Sequence, residues 1–297
     1  MKEIKLHTPV HTGPIRFHIS HSSPLLLIGS CFTENIGRRM SDLHFDTILN
    51  PFGILYNPLS IAEALQRCLD NLPIDSSVLV EHDGFWHSWL HHGAFSRKSP
   101  DECINACNTM IEKTYHFLGQ CRQIIVTFGS AHYYELQDNG LVVANCHKLP
   151  SKHFSLQMAS VDEIVAAWTP LMQRLQQNNF EVLFTVSPVR HNAYGAHGNQ
   201  LGKAALLLAI DQLCRQFGAD YFPAYEIVVD ELRDYRFYAD DLSHPSALAE
   251  QIVWQRLQMA TMSQSTIDLC DQYDSENRRT AHRTILREDD YGGVKGS

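Results

Sequence analysis

Short apolar segments alternate along this chain with longer segments whose apolar residues recur at helical spacing. The strand-like segments are residues 24–28, 45–49, 123–128, 181–186 and 219–224. Strands that alternate with helices form a mostly parallel sheet covered by helices on both faces, so the chain is predicted to have an α/β fold. Ligands bind such sheets beyond the carboxyl ends of the strands, and polar residues that directly follow a strand are therefore the first candidates for a functional site.

Two segments interrupt the alternation. Asp83-Gly84 within residues 78–95, and Asp138-Asn-Gly140 within residues 133–150, are turn sequences between β-prone flanks, which predicts two hairpins. We interpret both hairpins as insertions into one domain over residues 1–262. Residues 263–297 are polar and rich in Asp, Glu and Arg, so we expect a C-terminal tail that is only partly helical.

Charge and composition exclude several classes of partner. The formal net charge of -9 argues against binding to a nucleic-acid backbone. No apolar segment is long enough for a signal-peptide core or a membrane span, so we expect a cytoplasmic protein with no membrane partner. The 8 cysteines lack the paired spacing of a disulfide framework, which favours reduced thiols.

Gly29-Ser30 is a tight turn between the first strand and a helical segment. A serine at this position is well placed for nucleophilic attack, because the N-H groups at the start of the helix point at developing negative charge. Taken alone, a Gly-Ser turn after a strand is more often a helix-capping turn than an active site. Ser30 therefore becomes a candidate nucleophile only if a base can be found elsewhere in the chain.

Asp241-Leu-Ser-His244 supplies such a base. A nucleophilic serine needs an imidazole to remove its proton and a carboxylate to orient that imidazole, and Asp241 and His244 are close enough on one loop to contact each other. Taken alone, such a loop is more often a solvated segment with a helix-capping Asp or Ser243 than part of an active site. Together with Ser30, it predicts a catalytic triad of Ser30, Asp241 and His244.

A Gly-Ser turn after the first strand, followed much later by Asp-x-x-His before the last helix, resembles the SGNH (GDSL-type) hydrolases. Gly29-Ser-Cys-Phe32 resembles more narrowly the signature of the GSCFA family. Other segments fit that family in order: Asn50-Pro-Phe-Gly-Ile-Leu-Tyr-Asn-Pro58, Ala144-Asn-Cys-His-Lys-Leu-Pro150, Thr185-Val-Ser-Pro-Val-Arg-His191 and Glu231-Leu-Arg-Asp-Tyr-Arg-Phe-Tyr238. The resemblance covers roughly residues 20–260. It implies a flavodoxin-like three-layer α/β/α fold, a Ser-Asp-His triad and ester hydrolysis.

The resemblance also implies an oxyanion hole. SGNH hydrolases are expected to use the N-H of the nucleophile, a glycine N-H after the second strand and an Asn side chain after the third. The first two correspond to Ser30 and Gly53. The third strand is followed here by Gly129-Ser-Ala-His132, which lacks that Asn, and Asn145 is our substitute. An Asn in a loop is, however, more often a turn former than an oxyanion donor.

Other residues compete for a role at the same edge of the sheet. Cys31 follows Ser30 at the helix N-terminus, where a thiolate is stabilised, so it is an alternative nucleophile or else a small buried residue. Residues that could contact the substrate are Trp86, His87, His132, Arg190 and His191. For Arg190 and His191 a solvated loop is an equal alternative. Histidines 82, 87, 91 and 92 could hold zinc, but the usual ligand spacings are missing, so no metal is expected.

The combined prediction is a serine esterase that acts through an acyl-enzyme and needs no cofactor. An O-acetylated carbohydrate is the substrate class that the family resemblance favours. An O-acyltransferase with the same triad, or a carbohydrate-binding protein that kept the fold without activity, are the alternatives. The sequence leaves the oligomeric state open.

Overall fold

The computed structural model describes residues 8–291, with side chains described for residues 8–280. In chain order the strands are β1 (Leu25–Gly29), β2 (Thr47–Leu49), β3 (Leu79–His82), β4 (Phe85–Ser88), β5 (Gln123–Phe128), β6 (His132–Leu136), β7 (Val142–Val143), β8 (Phe154–Met158), β9 (Glu181–Val186) and β10 (Asp220–Phe222). The helices are α1 (Cys31–Asp42), α2 (Pro58–Asp70), α3 (Pro100–Gln120), α4 (Val161–Gln177), α5 (Gly195–Phe217), α6 (Ala224–Glu226), α7 (Ala247–Thr261) and α8 (Gln264–Tyr291).

The central sheet has the strand order β10-β9-β5-β1-β2, and every pairing within it is parallel. Numbered along the chain, the five strands lie in the order 2-1-3-4-5, which is the flavodoxin-like order of a doubly wound sheet. The predicted fold class is therefore confirmed. The order reverses between β1 and β5, and this switch point opens a crevice at the carboxyl edge of the sheet.

Successive residues of β1 pack into different layers. Leu26 and Ile28 belong to a cluster with apolar side chains of α2, α3, α4 and α5, whereas Leu25 and Leu27 pack with side chains of α1 and α7. Because neighbouring side chains of a strand point to opposite faces, a strand that is apolar throughout must be buried on both sides. The predicted helical cover on both faces follows from this pattern.

Caps fix where the helices begin. The side chain of Asn57 accepts the N-H of Ser60 at the start of α2, with Pro58 in the first turn. Ser160 forms a reciprocal capping box with Glu163 at the start of α4. Such side chains satisfy N-H groups that have no partner inside the helix, so the sequence locates these helix starts well.

Two small antiparallel sheets lie outside the central sheet. β3 and β4 form a hairpin around Asp83 and Gly84, which both have positive φ angles. β6 pairs with β7, and also with β8 in a three-stranded sheet of order β7-β6-β8. The pairing of β8 was not predicted, because that strand joins β6 from beyond the hairpin.

The C-terminal segment forms a helix within the described residues. α8 begins at Gln264, and its first turns bury Cys270 together with part of Ile267 and Tyr273 against the α1 side of the sheet. These three residues recur at a spacing of three, which gives the helix one apolar stripe. Residues 292–297 of the expected tail lie outside the described part of the chain. None of the helices within residues 8–291 is long and apolar enough to cross a membrane.

Candidate active site

The turn that follows β1 is held in place by backbone geometry and by Asn50. Gly29 has φ +146°, and a Cβ there would lie 2.2 Å from the carbonyl oxygen of Thr127 on the neighbouring strand. The N-H of Gly29 donates to Oδ1 of Asn50 at 2.9 Å, and Nδ2 of Asn50 donates to Glu34 on α1 at 2.8 Å. Only glycine fits this approach of the two strands, so the turn presents residues 30 and 31 in one fixed orientation.

Ser30 lies beneath this turn. It is the N-cap residue of α1, but its side chain makes no capping hydrogen bond. Its exposed fraction is 1%, and Oγ is buried with no hydrogen-bond partner among the described residues. A Cβ on Gly129 would lie 3.3 Å from Cβ of Ser30, so the side chain packs against the turn after β5. The Ser30 hydroxyl makes no hydrogen bond to His244, and the expected role of Ser30 stays a prediction.

Cys31, the neighbouring residue, is half-buried and lines a cleft together with Asp241 and His244. Burial raises the pKa of the Cys31 thiol above its usual value. Hydrogen bonds to the sulfur from the N-H groups of Phe32 and of Cys31 itself, and the charge of Lys203, act in the opposite direction and lower it. Cys31 is the first residue of α1, so its sulfur lies at the positive end of the helix, but burial outweighs this effect and the net shift of the pKa is upward.

Asp241 and His244 form the predicted pair. His244 donates a 2.6 Å hydrogen bond from Nδ1 to Oδ2 of Asp241. Oδ1 of Asp241 accepts the N-H groups of His244 and Ser243, both at 2.9 Å. The hydrogen bonds from His244 and Ser243 lower the pKa of Asp241 to about 2. The carboxylate is thus charged at neutral pH, and it fixes the tautomer that leaves Nε2 of His244 able to accept a proton.

Contacts with the loop after β9 hold this pair in place. The N-H of Arg190 donates to the carbonyl oxygen of Ser243 at 3.0 Å, and Nδ2 of Asn192 donates to Oγ of Ser243 at 2.8 Å. Leu242 has a positive φ of 54°, which makes the turn between Asp241 and His244 tight enough for the two side chains to meet. The two loops at the carboxyl edge of the sheet therefore support each other.

The cleft has a volume of about 550 Å³, within the range of small-molecule sites. Of the predicted residues it brings together His132, Asn145, Arg190, His191, Asp241 and His244, with Cys31 beside them. Sequence reasoning missed Tyr56, Cys146 and Tyr194, which also line it. Tyr194 stacks on His132 with ring centroids 3.9 Å apart. Tyr56 and Cys146 lie in the family segments 50–58 and 144–150, but those segments did not assign either side chain to a cleft, because the loops converge only in the folded chain.

Of the expected oxyanion donors Gly53 and Asn145, only Asn145 lines the cleft. The N-H of Gly53 donates to the carbonyl oxygen of Asn50 at 2.7 Å, so it is already used within its own turn, and Gly53 is not among the residues that line the cleft. Asn145 lines the cleft, and its Oδ1 accepts the N-H of His147 at 2.8 Å. The amide nitrogen is then the end of the Asn145 side chain that can donate to a ligand.

Trp86 and His87, expected to contact the substrate, are not among the residues that line the cleft. Nδ1 of His87 forms a 2.6 Å hydrogen bond with Oγ of Ser96, and the His87 ring stacks on that of His147. Trp86 pairs with Arg97 through the backbone and packs against the core. Within the described side chains, no group of three or more His, Cys, Asp or Glu residues could hold a metal ion.

Lys203 is a buried cation behind the cleft that sequence reasoning missed. Its ammonium group donates to the carbonyl oxygens of Gly129 and Ser187, each at 2.6 Å. Burial lowers the pKa of Lys203 to about 7, and the nearby Cys31 raises it. A signal existed, because Lys203 shares the helical spacing of the buried residues Leu206, Ile210 and Leu213 on α5.

The fold and the site together define a doubly wound α/β protein with an Asp-His pair and the Ser30-Cys31 turn at the carboxyl edge of its sheet. The chain belongs to the GSCFA family, whose model matches residues 24–257. This family membership agrees with the resemblance found in the sequence. None of the curated proteins compared with the chain matches it.

Three solved structures are similar to the chain at low identity. An alpha/beta hydrolase enzyme from the metagenome of Lake Arreo, Spain, has a TM-score of 0.42 and 11% identity, covering 82% of this chain and 96% of its own. An acetyl-xylooligosaccharide esterase from Geobacillus has a TM-score of 0.41 and 9% sequence identity, and the match covers 82% of this chain and 96% of the esterase. A carbohydrate esterase family 3 protein from Talaromyces cellulolyticus has a TM-score of 0.37 and 9% sequence identity, and the match covers 84% of this chain and 99% of the other.

Proposed function

We propose that the chain is an acyl hydrolase of the SGNH type that cleaves a carboxylic ester in this cleft. The observation that carries the proposal is the 2.6 Å hydrogen bond from His244 to Asp241, in a cleft that also contains the start of α1. A histidine held by a carboxylate is the usual general base for acyl transfer. The N-terminus of a helix is the usual location for the donors that stabilise an oxyanion.

In the proposed mechanism His244 removes a proton from a nucleophile in the turn after β1. The nucleophile attacks the ester carbonyl, an acyl-enzyme forms, and the alcohol leaves with the proton from His244. His244 then activates water, which releases the acid. Asp241 orients the ring and stabilises its charged form throughout, and these groups require no cofactor or metal.

Solvent access to the base favours hydrolysis over transfer. The side chain of His244 has an exposed fraction of 49%, and that of Asp241 has 50%. Water can therefore reach the base while the acyl group is bound. An O-acyltransferase would need to exclude water from this nitrogen to favour a sugar hydroxyl.

We propose an O-acetylated carbohydrate as the substrate class. The stacked rings of His132 and Tyr194 present flat faces with polar tips, which suit a sugar ring. Arg190 and Asn145 add hydrogen-bond donors in the same cleft. A volume of about 550 Å³ holds one or two sugar units.

The test is hydrolysis of p-nitrophenyl acetate and of acetylated xylo-oligosaccharides by the full chain and by His244→Ala. We expect His244→Ala to lower kcat/KM by about 10²–10⁴-fold, the usual contribution of a general base. His116→Ala is the matched control, since His116 is an exposed histidine on α3. A folded wild-type chain that binds acetylated sugars without cleaving any ester would support the carbohydrate-binding alternative and reject the hydrolase.

A further inference from the structure

We propose that Cys31, and not Ser30, is the nucleophile of this site, so that the acyl-enzyme is a thioester. The inference rests on the proposed acyl hydrolase function. It begins from the contrast between two neighbouring side chains. Ser30 buries its Oγ beneath the turn, whereas Cys31 lines the same cleft as Asp241 and His244.

Backbone geometry explains why only one of the two side chains reaches the cleft. Ser30 has φ -76° and ψ 179°, so it is still extended when α1 begins at Cys31. Successive side chains of an extended segment point to opposite sides. The Ser30 side chain packs against Gly129, which follows β5. The Cys31 side chain points to the opposite side and lines the cleft.

Burial raises the pKa of the Cys31 thiol, so the resting group is the thiol, and its surroundings supply the groups that can activate it. The N-H groups of Phe32 and Cys31 hydrogen-bond the sulfur, and Lys203 of α5 contributes a positive charge from behind the cleft. Two other titratable groups interact with Cys31: Glu250 of α7, whose charge opposes the thiolate, and Tyr56 of the loop after β2. The histidine that can remove the thiol proton, His244, lines the same cleft. The helix terminus and the buried cation are the features that activate cysteine nucleophiles.

The reaction balances without an oxidant or reductant. His244 takes the thiol proton, the sulfur attacks the ester carbonyl, and a C–S bond forms. The C–O bond of the ester then breaks, and the alcohol leaves with the proton held by His244. Water attacks the thioester while His244 takes one of its protons. The C–S bond breaks, the acid is released and the proton returns to the sulfur.

A thiol in the same cleft provides an internal control. Cys146 also lines the cleft and is half-buried, but burial raises the pKa of its thiol to about 11. In the full chain at neutral pH, we expect iodoacetamide to modify Cys31 at least about tenfold faster than Cys146, because Cys31 is the first residue of α1 and lies near the cation of Lys203. We expect His244→Ala to slow the modification of Cys31 and to leave that of Cys146 unchanged. Equal rates for the two thiols would overturn the proposal, whether or not an ester substrate is found.

Substitutions then separate the two candidate nucleophiles. Cys31→Ala is expected to lower ester hydrolysis by at least about 10²-fold and to abolish an acyl adduct that neutral hydroxylamine removes. Ser30→Ala is expected to change kcat by less than about fivefold, since no hydrogen bond of its Oγ is lost. Circular dichroism verifies that each variant is folded. If Ser30→Ala abolishes hydrolysis while Cys31→Ala retains it, the nucleophile proposal fails and the hydrolase proposal stands. If the wild type cleaves no ester, the hydrolase proposal fails, and the alkylation rates still decide whether Cys31 is activated.

Discussion

His244 donates its Nδ1 proton to Asp241 across 2.6 Å, and the two residues belong to one four-residue turn. The same carboxylate accepts two backbone N-H groups of that turn. The orientation of the imidazole is therefore built into a local segment of the chain. What the rest of the fold adds is the position of this segment beside the start of α1.

Replacing Asp241 by Asn should preserve the shape of the turn and remove the negative charge. We expect Asp241→Asn to lower kcat by about 10²–10⁴-fold, because the imidazolium formed during acyl transfer loses its counter-charge. Steady-state kinetics with p-nitrophenyl acetate measures this change. The pKa of Asp241 is about 2, so protonation of this carboxylate cannot cause a loss of wild-type activity above about pH 4. A kcat equal to that of the wild type would contradict the role of Asp241.

Replacing Lys203 by Gln should keep hydrogen-bond donors near Gly129 and Ser187 but remove the buried charge. We expect Lys203→Gln to slow the reaction of Cys31 with iodoacetamide at neutral pH by about threefold to tenfold, since the thiolate loses a nearby cation. Mass spectrometry of the modified peptide gives the rate, with Cys146 as the reference thiol. An unchanged rate in a folded variant would show that Lys203 has only a structural role.

Buried histidines should make the fold sensitive to mild acid. Burial lowers the pKa of His91 to about 3 and those of His147 and His191 to about 4. Between these values and the usual 6.5, the unfolded chain binds more protons than the folded chain. The free energy of unfolding should therefore be highest above about pH 6.5 and fall as the pH decreases, by at most about 1.4 kcal/mol per pH unit for each histidine.

Urea denaturation at several pH values measures this dependence. His91→Gln should flatten the slope by about one proton between pH 4 and 6.5, because Gln does not titrate. His116→Gln is the control, since His116 is an exposed histidine with a side-chain exposed fraction of 70%. If both variants show the wild-type slope, the acid sensitivity has another origin.

Replacement of two glycines by alanine should change the free energy of unfolding in opposite directions. Gly29→Ala places a Cβ 2.2 Å from Thr127 O at a φ of +146°, so we expect a loss of several kcal/mol, at the upper end of single substitutions. Gly119→Ala, in α3 where a Cβ meets nothing within 4 Å, should raise the free energy of unfolding by about 0.5–1 kcal/mol. Thermal denaturation compares the two. Similar melting temperatures would mean that the strands can separate to admit the Gly29 side chain.

The elements that recur along the chain could be predicted, because their signals are local. The apolar strands 123–128 and 181–186 were predicted with the bounds that β5 and β9 have. Asp241-x-x-His244 indicated a pair close enough to form a hydrogen bond. Each of these follows from spacing within a few residues.

Residues whose roles depend on convergence of distant segments could not be predicted. Trp86 and His87 looked suitable for a substrate, but neither side chain is among the residues that line the cleft. Gly53 lies at the expected position after β2, but its N-H donates a hydrogen bond to the carbonyl oxygen of Asn50. Spacing along the sequence shows neither where a hairpin packs nor which backbone groups are already hydrogen-bonded.

By itself, the sequence determined the doubly wound fold, the family and the Asp241-His244 pair. Only the tertiary structure distinguished Ser30 from Cys31. Both residues follow Gly29 in the same turn, and their chemistry alone permits either as a nucleophile. The direction of each side chain depends on the dihedral angles at Ser30 and on the approach of Gly129 from β5, which is 99 residues further along the chain from Ser30. A contact over that separation is fixed by sheet pairing, which no local pattern specifies.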